Sequence, residues 1–427
     1  MSDLRHTATR RRVAKRLLPY LCLLYFIAYL DRTNIGIASL QMTRELGFSN
    51  EVYGFGAGIF FAGYFLLEIP GTLLVERWSA RKWISRIMIS WGLVAVLTGF
   101  IRNATEFYWL RFLLGLAEAG FFPGVLVYLT HWFLAEDRAR TNAMFVVAIP
   151  LATVLGSPIS GWLLQFHWLG LAGWRWLLIL EGIPAIILGI VTMWFLTDKP
   201  AQATWLPAEE REWLEAELGR ERAAVTTQHK GSVLKALGNW RILSLTGAYT
   251  LLLTGSYGVT FWLPKFLSQF SGYSNTTVSL LVALPYFAAA VAALTAGFLA
   301  DQRGNQRLFA MCGMSMAGCL WAASQTPGIG VAMTIVVFMC SQAAYMSAFP
   351  NFWALPTKML SGEAAAASVG LISSFGSFGG FVGPYAVGYL SSHAGGYPAA
   401  FLFLGGCAVA AGGLVWVSGW GLKAKHA

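Results

Sequence analysis

An aspartate and an arginine stand side by side inside an apolar run. The stretch reads Tyr25-Phe-Ile-Ala-Tyr-Leu-Asp31-Arg32-Thr-Asn34-Ile-Gly-Ile-Ala38, within a hydrophobic segment from Leu17 to Leu40. A charge at membrane depth costs roughly 2.5–3.5 kcal/mol on insertion scales, so it is rare there and faces a partner or a wet cavity. The pattern recurs in Leu110-Arg111-Phe-Leu-Leu-Gly-Leu-Ala-Glu118-Ala-Gly-Phe-Phe-Pro-Gly124. Arg111 and Glu118 are seven residues apart and share a helix face. Unpaired, the four charges would cost on the order of 10–14 kcal/mol.

Their residue types divide the labour. A guanidinium stays charged in essentially any environment, and its planar fork matches a carboxylate. Arg32 is therefore a candidate anion clamp, with Arg111 as a second. Asp31 and Glu118 can take and release a proton. A carboxylate ligand would compete with these acids for the arginines, and protonating an acid would free an arginine to bind it. Proton and anion are thereby coupled. The alternative is that the charges only lock helices together, a reading that weighs most on Arg111, which could lie close to the membrane boundary. Glu68, in Tyr64-Phe-Leu-Leu-Glu68-Ile-Pro70, is a further acid in an apolar segment and a candidate partner in a gate.

These residues need long apolar helices to hold them. Of 427 residues, 56% are hydrophobic and 12% charged, about half the charge of a soluble domain. Apolar runs of about 20 residues recur, enough to cross a hydrocarbon core near 30 Å. The fold class is an all-α polytopic membrane protein with twelve spans, near 17–40, 52–76, 82–101, 106–134, 140–166, 174–196, 241–268, 276–300, 307–326, 328–357, 364–391 and 398–420. Residues 1–196 and 241–427 form two six-helix bundles, joined by the hydrophilic linker 197–240. In that linker Leu206, Trp213, Leu214 and Leu218 alternate with charges, which predicts a short amphipathic helix on the cytoplasmic face.

The halves repeat. Glu76 and Asp301 are 225 residues apart, Phe122-Pro123 and Phe349-Pro350 are 227 apart, and Pro158 and Pro384 are 226 apart. Halves duplicated about an axis along the membrane normal are a transporter architecture with a mid-depth site between them. Lys and Arg collect at the N-terminus, around residues 77–86 and 138–140, in the linker, around 303–307 and in the tail. Both termini are therefore expected in the cytoplasm. No cleavable signal peptide is read in the basic start. The clusters Glu76, Arg77, Arg81 and Asp301, Arg303, Arg307 are candidates for a cytoplasmic gate, or else for topology-setting charge alone. Tyr29, Asn34, Tyr64, Ser373 and Ser377 are candidate cavity-lining, substrate-binding residues, beside Tyr25, Tyr257, Gln342, Tyr345, Asn351 and Ser374.

The motifs Tyr29-Leu-Asp31-Arg32-Thr-Asn34-Ile-Gly36, Glu118 with Phe122-Pro123-Gly124, and Asp198-Lys-Pro200 with Trp205-Leu206 resemble the major facilitator superfamily, and within it the anion:cation symporter family. The resemblance covers essentially the whole chain and implies proton-coupled uptake of organic anions such as sugar acids, tartrate, phthalate or hydroxyphenylacetate. It implies proton and substrate handling at Asp31, Arg32 and Glu118, and pocket roles for Arg111 and Tyr64. A pocket asparagine of galactonate-type members falls at Ser377, which turns the resemblance toward the tartrate, phthalate and hydroxyphenylacetate carriers. It also implies a bacterial inner-membrane location.

Other classes find little support. The chain has no G-x-x-x-x-G-K-[ST] and no H-E-x-x-H, and its six histidines are scattered. The five cysteines lie in apolar segments without a C-x-x-C. No nucleotide, metal or other cofactor is implied. The net charge of +10 flanks membrane segments, so it is not read as a nucleic-acid surface. The expected partners are a small organic anion, protons and the bilayer, around a monomer. Anion exchange without net proton flow is the rival transport reading. A polytopic enzyme or sensor is the rival class, and it lacks a catalytic constellation or an output domain.

Overall fold

The computed structural model describes residues 2–226, 238–270, 272–303, 305–359 and 362–419. Within them the helices are α1 (Ser2–Glu45), α2 (Asn50–Arg77), α3 (Ala80–Thr98), α4 (Ala104–Glu118), α5 (Phe121–Thr130), α6 (Ala135–Val146), α7 (Ala148–Leu163) and α8 (Gly173–Phe195). They continue with α9 (Ala208–Thr226), α10 (Trp240–Leu267), α11 (Asn275–Arg303), α12 (Gln306–Ala323), α13 (Val331–Met359), α14 (Gly362–His393) and α15 (Tyr397–Val417). The fourth and fifth spans are each two helices in line, which gives twelve crossings plus the linker helix α9. Eight helical stretches among the described residues are long and apolar enough to cross a membrane on composition alone.

The break in the fourth span has a local cause. Ala119 leaves the helix at ψ 134°, and Gly120 follows in the left-handed region at φ 83°. Pro123 then has no N–H to offer, and its ring would strike the carbonyl four residues back in a continuous helix. Glu118 is thus the last residue of α4.

Packing repeats between halves. In the first, α2 packs on α4, α3 on α8, and α1 on α7 and α8. In the second, α11 packs on α13, α12 on α15, and α10 on α14 and α15. This is the duplicated arrangement that the sequence offsets predict. The halves meet where α2 lies on α14, α7 on α11 and α1 on α10.

The seam between halves is closed at the end that carries the 45–50, 163–173, 267–275 and 393–397 turns, opposite the basic loops. There Lys265 Nζ donates to Asn50 Oδ1 at 2.7 Å, and Asn50 Nδ2 donates to Ser391 Oγ at 3.1 Å. Gln165 Nε2 donates to Thr276 Oγ1 at 2.8 Å. Backbones touch as well: a Cβ on Gly54 would sit 2.5 Å from the Pro384 carbonyl oxygen and 3.0 Å from Gly388 Cα. Small residues let helices approach this closely in lipid.

The linker helix α9 buries Leu214 and Leu218. It docks on the first half: Arg12 pairs with Glu210 at 2.9 Å, Glu221 pairs with Arg138 at 3.1 Å, and the Trp213 and His6 rings stack at 4.2 Å. Its apolar face is covered by protein. Asp198 accepts from the Ser79 hydroxyl at 2.8 Å and from the Arg81 backbone N–H at 2.9 Å, closing the start of α3.

Candidate functional site

The neighbours Asp31 and Arg32 point to different places, because consecutive helical residues are turned by about 100°. Arg32 faces the space between the halves. Its Nη2 is paired with Glu118 Oε1. Its Nη1 donates to the Tyr257 hydroxyl, on α10 of the other half, at 3.5 Å. Its guanidinium carbon lies 5.2 Å from the Tyr64 ring centroid, 5.4 Å from that of Phe60 and 5.9 Å from that of Tyr29. Arg32 Nε and Glu118 Oε2 are both buried and have no hydrogen-bond partner among the described residues. The arginine thus holds one carboxylate while keeping donor capacity, among three aromatic faces, for another.

Asp31 turns into the first half. Its Oδ2 accepts from the indole N–H of Trp91 on α3 at 2.8 Å, and its Oδ1 accepts from Asn34 Nδ2 at 3.3 Å. Asp31 is 1% exposed and Trp91 is fully buried. Its partners are neutral donors, and neither arginine pairs with it.

Arg111 packs against α2 instead. It is 1% exposed, and its nitrogens lie 3.4 and 3.5 Å from the carbonyl oxygens of Gly56 and Ala57 on α2. Its guanidinium carbon is 5.0 Å from the Phe60 ring centroid. Gly115 makes this approach possible, since a Cβ there would meet the Phe60 carbonyl and lie 2.9 Å from the Tyr64 backbone nitrogen. The close crossing of α2 and α4 is what sets Glu118 beside Arg32 and Tyr64. Of the four charges, Arg32 and Glu118 form an ion pair, while Asp31 and Arg111 are satisfied separately.

Glu68 is buried on α2, and its carboxylate accepts from both predicted serines of α14: Ser373 Oγ at 2.9 Å and Ser377 Oγ at 3.3 Å. These are contacts between halves. Asn34 serves Asp31 and is itself buried. The side chains of Glu76, Arg77, Asp301 and Arg303 lie outside the described residues. Arg81 and Arg307 are described and form no ion pair among the described residues.

The sequence reading passed over two residues that the structure brings into the site. Trp91 supplies the best donor to Asp31. Glu181 on α8, in Leu180-Glu181-Gly-Ile-Pro184, is 4% exposed and accepts from the Ser160 hydroxyl at 2.7 Å. Its other oxygen is buried, with Asn34 beside the carboxylate and no well-formed hydrogen bond among the described residues. The signal that singled out Glu118, an acid inside an apolar run, is present at Glu181 too. Trp91 had no such signal, because buried tryptophans are common and only the rotation of α3 aims its N–H.

Comparison with known proteins agrees with this architecture. The family profile of the Major Facilitator Superfamily matches residues 21–384. A protein of Agrobacterium vitis named "Putative tartrate transporter" is 43% identical over 399 residues, covering 93% of this chain and 88% of its own length. The "Putative metabolite transport protein NicT" of Pseudomonas putida is 39% identical over 413 residues, covering 96% and 94%. Among solved structures, a bacterial homologue of the human lysosomal transporter Spinster, in an inward-facing and occupied conformation, superposes with a TM-score of 0.73 at 18% identity, over 94% of each chain.

Proposed function

The chain belongs to the Major Facilitator Superfamily and is a membrane transporter rather than an enzyme, and on that premise we propose that it takes up a small organic carboxylate together with a proton, by alternating access. The observation that carries the proposal is the Arg32–Glu118 pair, buried between the halves with an unpaired Arg32 Nε and Glu118 Oε2.

The chemistry follows from competition. While Glu118 is a carboxylate it occupies Arg32. A proton on Glu118 removes that charge and leaves the guanidinium to an incoming carboxylate, whose bidentate geometry it matches. Binding of the anion therefore draws a proton onto Glu118. The loaded site carries the same net charge as the empty one, so the halves can close over it without a new buried charge. Asp31, held by Trp91 and Asn34, is the second proton-handling acid, and Arg111 is the fixed positive charge near it. Tyr29 and Tyr64 form the aromatic wall beside the bound carboxylate, and Tyr257 lets the second half sense it.

The closed seam lies at the periplasmic end in this reading, so the cavity opens toward the cytoplasm, where the basic loops and the N-terminus lie. The clusters Glu76, Arg77, Arg81 and Asp301, Arg303, Arg307 then close the cytoplasmic end in the opposite state. The host membrane is the inner membrane of a bacterium, as the bacterial relatives suggest. Relatives named for tartrate and metabolite transport support a carboxylate as cargo.

The test is transport by purified protein in weakly buffered proteoliposomes. Adding a carried organic acid outside should raise the external pH as protons enter with it. If no organic acid in a broad panel of mono- and dicarboxylates moves protons, the symport reading fails.

A further inference from the structure

Resting on the proton-coupled reading, we propose that Glu181 and Asp31 form one acid pair across the Asn34 amide, in which Glu181 holds a resident proton and sets how readily Asp31 takes up a second.

Three observations lead there. The first is burial without a counter-charge. Glu181 is 4% exposed and accepts from the Ser160 hydroxyl at 2.7 Å, while its Oε2 is buried with no well-formed hydrogen bond among the described residues. So deep in the protein, an ionised carboxylate with no cation beside it is far costlier than the neutral acid. The nearby arginines are taken. Arg32 is paired with Glu118, and among the acids Asp31 acts most strongly on Arg111. Glu68, the fourth buried acid, is bonded across the seam to Ser373 and Ser377. An ionised Glu181 would therefore add an uncompensated negative charge to the interior of the first half, and a proton on it removes that charge.

The second observation is the amide between the two acids. Asn34 is 2% exposed, its Nδ2 donates to Asp31 Oδ1 at 3.3 Å, and it lies beside the Glu181 carboxyl group. Asp31 is also the charged group that acts on Glu181. Like charges so placed do not both ionise readily. Loss of the Glu181 proton would make Asp31 hold its own more tightly. Third, no other charge intrudes. The helix α8 packs on α3, α1 and α7, all of the first half. Of these, α7 carries no charged residue, and the charges of α3 are Arg81, Lys82 and Arg86, in its first two turns. On α8 itself, Arg175 pairs with Glu45. Glu181 is thus a positioning residue, reaching the proton path through Asp31 from within the first half.

The experiment combines infrared spectroscopy with pH profiles of transport, on the purified full-length protein. A protonated carboxyl group is resolved from a carboxylate by its stretching band. At neutral pH the unaltered protein should show a band of a buried protonated carboxyl group that Glu181→Gln removes. In Asp31→Asn the band should persist but titrate away at lower pH, because the neighbouring negative charge is gone. Ser160→Ala keeps the acid and removes its hydroxyl partner, so it should shift the band; it serves if Glu181→Gln does not fold. In proteoliposomes the alkaline limit of proton-driven uptake should move to lower pH by about one unit in Glu181→Gln, and Glu181→Asp should restore part of it. A band untouched by both Glu181→Gln and Ser160→Ala overturns the inference. So does a band that titrates alike with and without Asp31, or an uptake profile unchanged in Glu181→Gln. Each of these spares the symport reading, which the unaltered protein tests in the same vesicles. If that protein moves no proton with any organic acid, the symport reading falls, and this inference with it.

Discussion

Replacing Glu118 by glutamine separates the two jobs of the Arg32–Glu118 pair. In the empty protein the carboxylate compensates a guanidinium whose side chain is 11% exposed, while its own is 2% exposed. Removing one partner of a buried pair costs about 3–5 kcal/mol. The amide can still accept one hydrogen bond from Arg32, so the loss should fall at or below the lower end of that range. The empty variant should therefore unfold at a clearly lower temperature. An incoming carboxylate meets less competition: a bond to a charged acceptor is worth about 1.5–3 kcal/mol and one to a neutral acceptor about 1 kcal/mol, so the difference is about tenfold in affinity. Substrate should thus bind more tightly to Glu118→Gln and restore much of its thermal stability. In the unaltered protein, binding should strengthen as pH falls, because each anion bound draws a proton onto Glu118. In the variant that dependence should flatten. Titration at pH 6 and 8 and thermal unfolding read these effects. In proteoliposomes the variant should exchange labelled for unlabelled substrate yet fail to accumulate it under an imposed pH gradient. Uphill accumulation by Glu118→Gln would refute the reasoning, because no other step in it ties the proton to Arg32.

Other perturbations test separate parts. Asp31→Asn keeps acceptor capacity for Trp91 but loses the charge, and should abolish gradient-driven accumulation in proteoliposomes while substrate still binds; intact accumulation would remove Asp31 from the proton path. Glu181 accepts from Ser160 and has no ion-pair partner among the described residues. Glu181→Gln should therefore change stability by less than about 1 kcal/mol, whereas Glu181→Ala, which leaves a cavity, should cost about 2–3 kcal/mol by thermal or denaturant unfolding. Gly54→Leu drives a side chain into the Pro384 carbonyl and the Gly388 backbone, so it should disfavour this closed seam. Cysteine labelling should then report greater access to residues near Asn50 and Ser391, and unchanged access would show that the seam yields without opening.

Much of this was legible in the sequence, for reasons that also mark where legibility ends. Apolar runs and basic turns fix the spans, and the offsets between Glu76 and Asp301 or Pro158 and Pro384 foretell the paired packing of the halves. The charges at Asp31, Arg32, Arg111 and Glu118 stand out because lipid tolerates them badly. Which charge meets which depends on helix rotation and on the break after Glu118, and spacing alone cannot give either. Asp31 is served by the indole of Trp91, on a helix whose rotation leaves no mark in the sequence. Arg111 spends its donors on carbonyls exposed by the close crossing at Gly115. The alternation of leucine and charge predicts the linker helix, but that pattern does not say what covers the apolar face. Here the extended start of α1 and the α6 region do so, through Arg12, Arg138 and His6.

The interruption of the fourth span has a mechanical consequence. The backbone ladder of α4 ends with the Ala119 N–H bonded to the Gly115 carbonyl, and that of α5 begins with the Gly124 N–H bonded to the Gly120 carbonyl. The two ladders do not overlap, and Pro123 has no N–H with which to join them. Bending here disturbs fewer backbone bonds than a bend in an unbroken helix would. A joint in the first half therefore lies next to the acid that pairs with Arg32. An acid placed at such a joint sits where the angle between two helical rods can change with little loss of backbone hydrogen bonding.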